Sequence, residues 1–131
     1  MRAPLQPQIL ITMKTATIAK QLVALCRKAQ WEKAQRKLYA KNAVSIEAQA
    51  SPGFPKETKG LKGIVAKGHK FVEMTQKMHK LTVSDPVVAD HSFACTMAMD
   101  VTMAGMGRMK MSELCVYQVK KGKIVSEQFF N

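Results

Sequence analysis

Along residues 15–30 the apolar positions Ile18, Leu22, Leu25 and Ala29 recur at steps of three and four, and Thr15 or Thr17 stands where a cap is wanted. This predicts an amphipathic helix. Trp31, Ala34 and Leu38 repeat the spacing while Glu32, Lys33 and Lys37 fall on the other side, predicting a second, shorter helix over 31–39. The period then changes to two, because Val44 and Ile46 alternate with Ser45 and Glu47 as in a half-buried strand over 43–48. Ser51-Pro52-Gly53 and Pro55 mark 49–59 as a loop. A third helix over 60–78 gathers Leu61, Ile64, Val65, Gly68, Phe71, Val72 and Thr75 on one face, and Gly63 and Gly68 make it depend on tertiary packing.

Everything after His79 reads as strands. Leu81 and Val83 alternate up to the stop at Asp85-Pro86, 87–89 adds a short extended piece, and Asp90-His91 turns the chain. Phe93, Cys95, Met97, Met99 and Val101 form one face of a long strand, which Gly105-Met106-Gly107 ends. A second long strand over 108–120 leads through the two-residue loop Lys121-Gly122 into a last strand over 123–130. Residues 1–14 carry no such pattern and are expected to be a flexible lead-in, with Met13 a candidate start, so a single domain occupies 15–131.

The order of elements and the terminal hairpin Val116-Tyr117-Gln118-Val119-Lys120-Lys121-Gly122-Lys123-Ile124-Val125, with Leu38-Tyr39-Ala40 and the strand over 43–47, resembles the SnoaL-like family of the nuclear transport factor two-like superfamily. The resemblance implies an α+β fold. Three N-terminal helices would pack on a strongly curved, mainly antiparallel sheet, and the resulting cone would hold a pocket on its concave side. It also implies functions ranging from small-molecule isomerases, cyclases, hydrolases and dehydratases to silent binding or dimerisation modules, so the pocket must decide.

Composition changes this picture in two places. Lys and Arg total 21 against 9 Asp and Glu, a net charge of +12, which invites a nucleic-acid reading. All the basic residues except Arg2, Arg27, Arg36 and Arg108 are Lys, however, and they are scattered without interleaved aromatics. Recognition of phosphates and bases leans on the guanidinium fork, so a solvated Lys coat is the better account, and non-specific nucleic-acid binding is a weaker alternative. The three cysteines, Cys26, Cys95 and Cys115, show no metal-ligand spacing and form no even disulfide set, which fits reduced thiols in a cytoplasmic protein without a metal. No apolar run approaches the roughly 20 residues needed to span a bilayer, so a soluble chain with no membrane partner is expected.

Candidate chemistry follows from strand parity. With Lys121-Gly122 as the hairpin loop, Val119 faces Ile124, Tyr117 faces Ser126, Cys115 faces Gln128 and Glu113 faces Phe130. If the preceding turn keeps even register, the concave wall holds Met97, Met99, Met109, Met111, Cys115 and Tyr117, with Glu113 and Gln128 as polar exceptions, and His79 shares the parity of Leu81 and Val83. A carboxylate in an apolar cavity has its pKa raised by desolvation, which makes Glu113 with His79 the first acid/base pair. Glu47, Asp100 and Glu127 are reserves expected to face away, although a bulge in the last strand would turn Glu127 inward and Gln128 outward.

Six of the ten Met residues lie within 97–111, enough for an adaptable cavity that accepts a flat hydrophobic ligand. No phosphate loop, metal-protease or hydrolase nucleophile pattern is present, so no cofactor is expected. Three readings remain: a small hydrophobic-molecule binder with cofactor-independent proton transfer of isomerase, cyclase or lyase type; a non-catalytic ligand- or protein-binding module; and the nucleic-acid alternative. Both faces of the terminal hairpin are apolar, which predicts a homodimer through the convex face.

Overall fold

The computed structural model describes residues 13–131, so most of the expected lead-in over 1–14 lies outside the described residues. Helix α1 (Thr15–Arg27) is followed by α2 (Trp31–Leu38), β1 (Tyr39–Ile46), β2 (Glu57–Lys59), α3 (Leu61–Met74), β3 (Thr75–Val83), β4 (Val87–Val88), β5 (Ser92–Met103), β6 (Gly107–Lys120) and β7 (Lys123–Phe130). The strands form one sheet in the order β2-β1-β7-β6-β5-β3, with β4 on β5, and only the β1–β7 pair is parallel. This is the α+β arrangement expected: three helices against a curled, unclosed, mostly antiparallel sheet. Among the described residues no helix is long and apolar enough to cross a membrane.

Helix α1 is shorter than its apolar period suggests. The chain leaves it through Lys28 and Ala29, whose φ of 57° is left-handed. The amides of Ala29 and Gln30 then reach back to the carbonyls of Cys26 and Leu25 at 3.0 Å each, the two bonds of a Schellman cap. Ala29 is therefore exposed instead of contributing to the core. Lys14 precedes the helix without a side-chain cap, and the Thr15 hydroxyl donates to the Asp90 carbonyl at 2.7 Å.

The loop expected over 49–59 contains β2, which pairs with β1. Helix α3 ends at Met74 and the chain continues directly as β3, four residues earlier than its period indicates. Lys121 and Gly122, with φ of 52° and 75°, make the left-handed two-residue turn between β6 and β7.

The core lies between α1 and the concave face of the sheet, centred on Ile18, Leu22, Leu38, Ile64, Cys115 and Ile124. One strand is turned over relative to its sequence pattern. Ala43 and Ser45 of β1 are fully buried, whereas Val44 and Ile46 are half-buried on the convex side. Both faces of β1 carry small or apolar residues, so alternation alone does not say which face is covered.

Candidate functional site

The cone is not filled. Between the concave face of the sheet and the three helices lies a cavity of about 550 Å³. Helix α1 contributes Leu22 and Cys26, α2 contributes Trp31 and Gln35, and α3 contributes Ile64, Phe71 and Met74. Trp31 and Phe71 meet edge to face, with ring centroids 6.0 Å apart. The opposite wall is built by parity: Met97 pairs with Glu113 and Met99 with Met111 across β5 and β6, which sets Met97, Met99, Met111 and Glu113 on one face. Met103, Met106 and Met109 extend that wall to the β5–β6 turn. The even register expected between these strands is the one observed.

A polar cluster enters this apolar space from β1, α3 and β7. Between Val119–Ile124 and Gln118–Ser126 the β6–β7 register shifts by one, leaving Val125 as an extra residue. Glu127 consequently pairs with Tyr117 and is buried in the cone, where it accepts a hydrogen bond from the Tyr39 hydroxyl. Burial raises its pKa, while hydrogen bonds from Tyr39 and Ser45 act in the opposite sense. Lys67 of α3 donates to Glu47 Oε2 at 2.6 Å and to Ser45 Oγ at 2.7 Å, with only 12% of its side chain exposed. Its ammonium also stands 5.9 Å from the centroid of Phe129.

Glu113 faces this cluster from β6. Burial foremost, then the charges of Glu47 and Glu127, push its carboxyl up from 4.5 to about 7, with Lys67 pulling the other way. A carboxyl so placed is divided between acid and base near neutral pH, the condition for moving a proton in either direction. The phenols of Tyr39 and Tyr117 are held well above 10, chiefly by burial.

Glu113, Met97, Met99, Met109, Met111 and Tyr117 all line the cavity. Cys115 shares their face but is sealed beneath them, directly opposite Cys95. Two expected residues are elsewhere. Gln128 pairs with Val116 and Ile46 on the convex side, because the bulge at Val125 reverses the parity beyond it. The same bulge pairs Tyr117 with Glu127, Cys115 with Phe129 and Leu114 with Phe130, in place of Ser126, Gln128 and a Glu113–Phe130 pair.

His79 is itself the extra residue of a register shift in β3, between Met78–Val101 and Lys80–Asp100. Its ring bonds the Thr102 hydroxyl at 2.7 Å, away from the cavity, so the structure does not bring Glu113 and His79 together. Asp100 faces outward as expected and accepts two hydrogen bonds from Arg108, at 3.0 and 2.9 Å. Glu47 does not face away: with Glu127 it joins the lining.

Sequence reasoning missed Lys67, Ser45 and Tyr39 as site residues. Lys67 is one of three lysines in α3, and the signal available was its place one turn from Ile64 and Phe71 on the apolar face. Among the described residues no group of three or more His, Cys, Asp or Glu side chains is arranged to hold a metal.

The family model for the SnoaL-like domain matches residues 13–131. The chain belongs to the SnoaL-like family. Its fold is similar to that of a candidate SnoaL-like polyketide cyclase from Mesorhizobium loti, at 31% identity and a TM-score of 0.83, over 91% of this chain and 100% of that one. A Mycobacterium tuberculosis protein solved in complex with estradiol-17beta-hemisuccinate aligns at 18% identity and a TM-score of 0.70, over 91% of this chain and 95% of that one. A Catenulispora acidiphila protein with a ketosteroid isomerase-like fold, solved with trimethylamine, aligns at 12% identity and a TM-score of 0.66, over 87% and 84% of the two chains. At those identities the last two show the fold alone. No match was found among curated proteins. The SnoaL-like domain thus forms the cone, with the polar cluster set in the wall of its cavity.

Proposed function

We propose that this SnoaL-like protein binds a small hydrophobic, flat molecule in its cone and moves a proton on it without a cofactor, Glu113 acting as the acid/base. The observation that carries this reading is a single carboxyl poised at about 7 on the wall of a Met-rich cavity of about 550 Å³. Desolvation gives Glu113 a basicity that a surface carboxylate lacks, and the adaptable thioether wall accepts a rigid ring system. The Mycobacterium and Catenulispora proteins, solved with small molecules, support a ligand-holding role for a fold of this shape.

The test is base-catalysed exchange. Polycyclic ketones offered in deuterated buffer should gain deuterium next to the carbonyl, and Glu113→Gln should slow that gain about a hundredfold or more. Unchanged exchange in the variant removes Glu113 from the mechanism.

A second reading, a non-catalytic ligand- or protein-binding module, is favoured by one feature: Glu47 is engaged by Lys67 and Glu127 by Tyr39, so Glu113 has no equally free partner. Ligand binding with no exchange in the wild type would select it. In either case the protein pairs with a second copy through its convex face, where Leu114 and Phe130 stand opposite each other and well exposed.

A further inference from the structure

The charges facing the cavity are opposite in sense to the charge of the chain. The whole protein carries +12, yet the charged residues among the described lining are Glu47, Glu113 and Glu127 against Lys67 alone. The one cation is already engaged, because Lys67 Nζ lies 2.6 Å from Glu47 Oε2 and 2.7 Å from Ser45 Oγ. The next lysine along α3, Lys70, points to the loop at the mouth, where it donates to the Gly53 carbonyl at 3.2 Å and covers the Phe54 ring. An anionic ligand would therefore enter an apolar space where no free cation meets it and two further carboxyls stand in the wall.

Hydrogen-bonding capacity points the same way. Tyr39 spends its hydroxyl proton on Glu127. Gln35 lines the cavity too, but its Oε1 is buried and unpartnered and its amide packs against Gly68, so it offers a ligand no exposed acceptor. Glu113 adds carboxylate oxygens whenever it ionises. The ionisable groups of the wall are thus mostly acceptors, and the aromatic side chains of Trp31, Phe71 and Phe129 line the same space.

From the cavity and the charges on its wall we infer that the molecule held here is an apolar ring system bearing a protonatable amine, its nitrogen directed at Glu113. This rests on the reading of the cone as a hydrophobic binding site and names the class of ligand within it. The titratable groups that line the cavity with Glu113 are Tyr39 from β1 and Glu47 just after it, Lys67 from α3, Glu127 from β7, Tyr117 from β6 and Cys26 from α1. Of these, Lys67 and Glu47 compensate each other at close range, Tyr39, Tyr117 and Cys26 stay neutral through the ordinary pH range, and Glu127 is pressed toward its neutral form by burial. Ionisation of Glu113 therefore gives the cavity a net negative charge, and an ammonium group is what neutralises it.

Three probes of one shape separate the possibilities: naphthylmethylamine, naphthylmethanol and naphthoate, titrated by calorimetry into the whole protein at pH 6 and pH 8. The amine should bind at least tenfold more tightly than naphthoate at pH 8, and naphthoate should weaken from pH 6 to pH 8 as Glu113 ionises. In Glu113→Gln, shown to be folded by an unchanged circular-dichroism spectrum, the pH dependence and most of the amine preference should disappear, and a variant that keeps both overturns the assignment. Equal binding of all three probes, or naphthoate binding most tightly, overturns the amine assignment and leaves the hydrophobic site standing. Failure of all three to bind overturns both.

Discussion

The Tyr39 hydroxyl donates a hydrogen bond to the buried Glu127 carboxyl, joining the first strand to the last across the parallel seam of the sheet. The two residues are 88 positions apart, and each is nearly inaccessible to solvent. A carboxyl there can be tolerated only with its oxygens occupied, because burying an unpaired polar group costs more than a made hydrogen bond returns. Tyr39→Phe removes the donor and little else. We expect a loss of about 1–3 kcal/mol in urea denaturation, with the double variant Tyr39→Phe/Glu127→Gln losing less than the sum of the two single changes. Additive losses would show that the two side chains do not support each other.

Glu113 makes native stability depend on pH in a definite direction. Its carboxyl holds a proton more tightly in the folded chain, at about 7, than at its ordinary value of 4.5. The folded state is therefore favoured fully below about 4.5, loses ground as pH rises to about 7, and loses no more beyond. Glu127 shifts in the same sense, so the native protein alone does not isolate Glu113. Glu113→Gln relative to wild type does: the variant should gain on the order of 2 kcal/mol between pH 4.5 and pH 7. A stability difference that stays constant across that window would mean that Glu113 titrates as a surface carboxylate does.

How far the site could be read from the sequence depended on whether the chain kept strict alternation. From Phe93 to Val101 and from Met109 to Tyr117 it does, and both strands present the residues their spacing indicates, with a glycine-flanked turn holding them in even register. Val125 and His79 break the alternation by one residue each, and nothing in their identity marks them as bulges. That single extra residue moves Glu127 in and Gln128 out, and it separates His79 from Glu113. The bulge in β7 was legible only as a possibility attached to Glu127. Lys67 escaped notice for another reason: a helix lysine is ordinarily solvated, and its burial follows from Glu47 and Ser45, which a turned-over β1 delivers beneath it.

The turn between α1 and α2 offers a test of local backbone energetics. Ala29 occupies the left-handed position of the Schellman cap, with φ of 57°, where a Cβ is disfavoured and glycine is the usual residue. Its side chain is exposed, so little packing is lost on removing it. Ala29→Gly should raise stability by roughly 0.5–1 kcal/mol, the relief at the left-handed position outweighing the extra freedom glycine gives the unfolded chain. Thermal denaturation at constant pH measures it. A lower melting temperature in the variant would show that the entropic cost dominates.

Leu114 and Phe130 face each other on the convex side of the β6–β7 hairpin with 40% and 43% of their surfaces exposed. Val116 and Ile46 lie half-buried on the same side, joined through Gln128, so the exposed pair belongs to a longer apolar strip. Covered by a second copy related by a two-fold axis, the strip would meet itself, and each Leu114 would be removed from water. Leu114→Lys would place an ammonium group within that contact, against the apolar strip of the second copy. Light scattering should give twice the monomer mass for the wild type at micromolar concentration and the monomer mass for the variant. Because Leu114 points away from the cone, probe binding by each subunit should be unaffected. A wild type that scatters as a monomer at every concentration reached would leave the convex face solvated.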